Sequence, residues 1–170
     1  DMYKSLPDAA RAWVDRTLES LSIDELIGQK LAPLLNVAWD PSRTRAELMG
    51  RAHRFQVGAV HTCSHLPPQE VHAQIEELQQ GLRVPPLVSA DFETDAAYPG
   101  ATRCGTSMAF GAIADRARAE ELAFESGRLA AKQARAMGIN WTFGPVVDLP
   151  INPDNPITAN APRRRGGGAM

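Results

Sequence analysis

Three short apolar runs, each bounded by chain-breaking residues and separated by stretches of helical periodicity, constrain this chain more than any other feature. The runs are Val57-Gly58-Ala59-Val60-His61, Pro86-Leu87-Val88-Ser89-Ala90 and Ile139 to Phe143. Each is too short for a helix and reads as a buried strand. Between the first two, Pro67-Pro68 opens a segment with Val71, Ile75, Leu78 and Leu82 at i, i+4, i+7 and i+11, one face of a helix. Between the second and third, Asp115 is placed to cap a long helix with the stripe Leu122, Ser126, Leu129, Gln133 and Met137, and Gly138 stops it. Strands joined through helices of this length must lie parallel, with right-handed crossovers.

Upstream, Ala10, Trp13, Val14, Thr17, Leu18 and Leu21 form the stripe of an amphipathic helix over 7–20. Ser22-Ile-Asp-Glu25 has the S-x-x-E form of a capping box and opens a second helix through Ile23, Leu26 and Ile27, which Pro33 ends. A further helix with a basic outer face is expected from Arg43 to Gln56. Gly81 stands where a left-handed residue would end the helix before it, and 99–111 reads as a Gly- and Ala-rich loop. The fold class is α/β, either the start of a (β/α)8 barrel or a doubly wound sheet. No G-x-G-x-x-G follows a strand, which counts against dinucleotide binding. A complete barrel needs roughly 250 residues, so three strands in 170 residues amount to less than half of one.

Composition narrows the partners. A net charge of -2 argues against a nucleic-acid or anionic-membrane surface, and no apolar run reaches the length of a membrane span. The N-terminal residues lack the apolar core of a signal peptide, which favours a cytoplasmic location, although the chain starts at Asp1 and localisation stays open. Cys63 and Cys104 make no disulfide framework and read as reduced thiols.

The candidate site lies where the second run ends. Asp91-Phe92-Glu93 begins as the strand stops, and in parallel α/β folds ligands bind at that end. The competing reading makes Asp91 and Glu93 loop carboxylates capping a turn. His61-Thr-Cys63-Ser-His65, at the end of the first strand, alternates three metal-ligating side chains. No fourth ligand is evident, so pocket-rim or structural roles are expected and no metal is assigned. His53 and His72 are expected on helix surfaces, and Cys104 has no base partner that would make it a nucleophile. Trp39 and Trp141 could stack on a sugar ring, with a place in the core as the commoner case.

Four motifs, in order, resemble the N-terminal barrel of glycoside hydrolase family 3. The segment from Leu18 to Gln29 is similar to that family's L-T-x-E-E-K-I-x-Q opening helix, and Val57-Gly58-Ala59-Val60 to its first barrel strand. Val88-Ser-Ala-Asp91-Phe-Glu93 resembles its D-x-E strand end, in the form nearest the β-N-acetylhexosaminidase branch but without the Gly-Gly that follows there. Phe143-Gly-Pro145-Val146-Val147-Asp148 with Asn152-Pro153-Asp154-Asn155-Pro156 resembles its F-x-P-V-x-D and N-P-x-N-P phrases.

The resemblance implies the N-terminal part of a TIM-type (β/α)8 barrel over residues 1–158. It also implies a retaining glycosidase acting on β-linked glucosyl or N-acetylglucosaminyl residues without metal or organic cofactor. Asp91 takes the place of the family carboxylate that binds sugar hydroxyls. Glu93 supports the loop or touches substrate, and Asp148 lines the pocket or accepts backbone N–H groups in the Pro-rich turn. Asn152 and Asn155 are read as turn residues. The family's nucleophile, acid/base and K-H-F-P-G-H-G phrase have no counterpart here, so the chain alone is expected to be inactive, with open sheet edges that invite association. Residues 159–170, rich in Arg and Gly, depart from the family and read as out of frame, with a basic tail that touches RNA or acidic lipid as the rival. Two other functions stay open: a carbohydrate- or partner-binding remnant without catalysis, and another barrel enzyme such as a lyase.

Overall fold

In a computed structural model the described residues are 2–35, 42–62, 66–92, 99–145, 152 and 154. A 3-10 turn precedes helix α1 (Asp8–Ser20) and the short helix α2 (Ile23–Gly28). α2 starts on the capping box read in the sequence: the Glu25 N–H donates to Ser22 Oγ, and Glu25 Oε2 accepts from the Ser22 N–H at 2.8 Å. Thr44 and Glu47 make the same reciprocal pair at the start of α3 (Arg45–Phe55). Then come β1 (Ala59–His61), α4 (Pro68–Gly81), β2 (Leu87–Ala90), α5 (Ser107–Gly111), α6 (Arg116–Ala136) and β3 (Trp141–Thr142).

The strands form one parallel sheet in the order β1-β2-β3, with Val60 opposite Val88 and Ser89 opposite Trp141. On the far side of β1 the extended segment 31–35, not anticipated as a strand, joins the ladder. The Ala59 N–H donates to Leu31 O, the His61 N–H to Pro33 O and the Leu35 N–H to His61 O, at 3.2, 2.9 and 2.8 Å.

Spatial order follows chain order, and right-handed crossovers taken in one direction put their helices on one face of a sheet. The core has that form. Val60, Val88, Ala90 and Phe92 are buried together with Met49 and Ala52 of α3, Val71, Ile75 and Leu78 of α4, and Ala130 and Ala134 of α6. Each large aliphatic side chain buried there contributes about 1.5–3 kcal/mol. Because side chains alternate along a strand, Ala59, His61, Leu87, Ser89 and Trp141 stand on the opposite face. There Leu87 is 53% exposed and Trp141 41%. Among the described residues, no helix covers that face. A doubly wound sheet would carry helices on both sides.

Several expectations change. The stretch expected to be loop from 99 to 111 ends in α5, where Thr106 Oγ1 accepts from the Ala109 N–H. Of the stripe expected along α6, Ser126 and Met137 are buried, whereas Leu122, Leu129 and Gln133 are only half-buried; Ala130 and Ala134 complete the buried line, because alanines let the helix approach the sheet closely. Gly81 is not left-handed. An added Cβ there would come within 2.4 Å of His53 Nε2, so the glycine makes room for a ring expected on the surface but half-buried. Gly138 does take the left-handed conformation, at φ 88°, as a helix stop should. α1 buries none of its residues, and Trp13 and Leu18 are exposed despite their amphipathic spacing.

Candidate active site

Parallel strands end at one edge of the sheet, so the side chains leaving β1, β2 and β3 on the uncovered face meet there. The register that sets Ser89 opposite Trp141 carries Asp91 level with Phe143, and the Phe143 N–H donates to Ala90 O at 3.2 Å. His61 arrives from β1. Its ring stacks on Phe143, with centroids 5.3 Å apart and planes 24° apart, and Phe143 in turn meets the edge of Trp141 at 4.9 Å. Trp141 therefore belongs to the open face and not to the core.

Asp91 stands beside this aromatic pair. Its side chain is 66% exposed, and Oδ2 lies 4.0 Å from His61 Nε2. Among the described residues, no hydrogen bond reaches the carboxylate. It is an acceptor-only group held at the rim by a rigid strand and open to a ligand. His61 is fixed more tightly. Its backbone is hydrogen-bonded on the 31–35 side, and its Nδ1 lies 3.0 Å from Ser89 Oγ. Ser89 is fully buried, and its hydroxyl donates to Val60 O at 3.1 Å. Thr142 Oγ1, which donates to Phe92 O, ties the next strand to the residue that follows Asp91.

This constellation can bind a polar, ring-shaped ligand. The carboxylate accepts hydrogen bonds from hydroxyls, and the exposed indole and phenyl surfaces offer apolar faces. Of the residues singled out in the sequence, Asp91, His61 and Trp141 come together here. Glu93 and Asp148 lie outside the described residues, as do Cys63, His65, Trp39 and Asn155. Asn152 Oδ1 accepts from the Asp154 N–H at 2.9 Å, the turn role expected of it. Cys104 is half-buried. No group of three metal-ligating side chains occurs among the described residues, and none of their helices is long and apolar enough to cross a membrane.

Ser89 and Phe143 are the members that sequence reasoning passed over. Period-two alternation through Ser89 and Asp91 carried the signal, but a small residue in an apolar run looks like filler until its neighbour across the sheet is known. A second concavity of about 290 Å³ lies on the helical side, lined by Phe92, Phe110, Ala123, Gly127, Ala130 and Pro145. It offers few polar groups and is separate from Asp91.

Comparison with known proteins bears on the same residues. Residues 22–161 match the family described as glycosyl hydrolase family 3 N terminal domain. A beta-N-acetylglucosaminidase/beta-glucosidase of Cellulomonas fimi is 37% identical over 157 residues, 91% of this chain. The chain spans about a quarter of that relative, 26% of its length.

Proposed function

From the premise that this chain belongs to glycosyl hydrolase family 3, as part of its N-terminal domain, we propose that it supplies the sugar-orienting part of a retaining β-glycosidase site. The substrates are β-linked glucosyl or N-acetylglucosaminyl residues, matching the two activities in the name of the Cellulomonas fimi relative. The single observation that carries this reading is Asp91: a carboxylate without a hydrogen-bond partner among the described residues, at the C-terminal end of the middle strand, beside exposed aromatic surface. Accepting hydrogen bonds from sugar hydroxyls, it would fix the ring so that the bond to be cleaved meets the reacting groups in one geometry.

Those reacting groups, a carboxylate nucleophile and an acid/base about 5–5.5 Å apart in retaining enzymes generally, would be contributed by parts of the family's domain with no counterpart in these residues. The chain by itself would then orient a sugar without cleaving it. The one-sided sheet favours the opening portion of a (β/α)8 barrel, with the uncovered face as the barrel interior.

The test is a chimera in which this chain replaces the aligned segment of the Cellulomonas fimi relative, assayed with chromogenic β-glucoside and β-N-acetylglucosaminide. The chimera should hydrolyse at least one. Asp91→Asn should lower kcat/KM by about a hundredfold or more, as expected for losing charge-assisted hydrogen bonds. Activity that survives Asp91→Asn unchanged would overturn the assignment.

A further inference from the structure

Resting on that carbohydrate reading, we infer that His61 is a second sugar-binding residue, presenting a bare Nε2 lone pair beside Asp91. Val60 O is a carbonyl and can only accept, so the Ser89 hydroxyl, 3.1 Å away, donates its single proton there. Ser89 Oγ then meets His61 Nδ1 at 3.0 Å with lone pairs alone, so Nδ1 must be the donor. In the neutral imidazole this leaves Nε2 without a proton. Burial of Ser89, stacking on Phe143 and the backbone bonds to Pro33 and Leu35 hold the ring in that pose.

Nε2 faces Asp91 Oδ2 at 4.0 Å, too far for a hydrogen bond between them. Two acceptors this close, one charged and one neutral, call for two donors. Neighbouring hydroxyls of a sugar ring supply them, one to each. Among the described residues, Asp91 is the acidic group within 4.0 Å of the imidazole. His61 thus adds a neighbouring hydroxyl to those that Asp91 recognises, and it selects rings that carry it.

Long-range ¹H–¹⁵N NMR of the ¹⁵N-histidine-labelled chain at pH 8 reads the tautomer directly. His61 should show a protonated Nδ1 and a bare Nε2, and Ser89→Ala should release that preference. Titration with glucose and N-acetylglucosamine should then shift the Nε2 resonance. His61→Phe, which keeps a ring for Phe143 to stack on, should weaken binding about threefold to tenfold, the loss of one neutral hydrogen bond. An Nε2–H or doubly protonated ring at pH 8 overturns the proposal. So does sugar binding that is lost in Asp91→Asn but unchanged in His61→Phe, and that outcome leaves the carbohydrate reading standing. Absence of any sugar response with the expected tautomer in place overturns both.

Discussion

Arg83 shows how much one side chain can tie together. Its Nη1 donates to both oxygens of Glu25 at 2.8 Å, and Nη2 reaches the carbonyl and hydroxyl of Ser20. One guanidinium thereby joins the end of α1, the first turn of α2 and the loop before β2. Glu25 also accepts from the Ser22 N–H as the return half of the capping box. The Arg83 hydrogen bond first, and then that backbone bond, hold its carboxyl at about 2 against an ordinary 4.5. A carboxyl depressed by folding stabilises the protein fully above its unfolded value, and that contribution is lost as pH falls from about 4.5 through about 2. Glu25→Gln should therefore flatten the fall in Tm between pH 5 and pH 2, as followed by circular dichroism. An unchanged acid limb would show that the pair is screened by solvent.

Just past the end of α6, Gly138 packs against Ile75 of α4. At φ 88° it lies in the left-handed region, and an added Cβ would come within 2.8 Å of Ile75 Cγ2. Gly138→Ala should cost about 1–3 kcal/mol, combining backbone strain with displacement of a core side chain, read from the midpoint of urea unfolding. Leu78, fully buried on α4, is the comparison. Leu78→Ala should cost about 2–5 kcal/mol by removing contacts that the core cannot recover. Equal, small effects from both substitutions would mean that α4 is not docked on the sheet.

Taken as a whole, the molecule is a sheet with one furnished side. Val88 and Leu87 are consecutive in β2, yet Val88 is fully buried and Leu87 is half exposed. In this chain Leu87→Ser should change stability by no more than about 0.5 kcal/mol, as for a surface site. In the chimera with the Cellulomonas fimi relative, a closed barrel would bury the same side chain, and the same substitution should cost about 2 kcal/mol or more. A low cost in both settings would argue that the uncovered face is not a barrel interior. The His61–Asp91 edge belongs to this scale too, since β1 and β2 bring together side chains 30 positions apart only through their parallel register.

Local chemistry was legible from the residues alone. The S-x-x-E cap, the Val71-Ile75-Leu78-Leu82 stripe and the Gly138 stop act over a few residues, so their patterns survive in one dimension. So did Asp91 at a strand end, and the family, through motifs kept in order. What only tertiary structure decided was relation across the sheet. The ladder partner at 31–35, the inward alanines of α6, the room Gly81 makes for His53, and the contacts of Ser89 Oγ with His61 Nδ1 and Val60 O all depend on which atoms the fold sets opposite one another. Hydrogen bonding and close packing act between neighbours in space, and spacing along a chain does not specify those until the strands have paired.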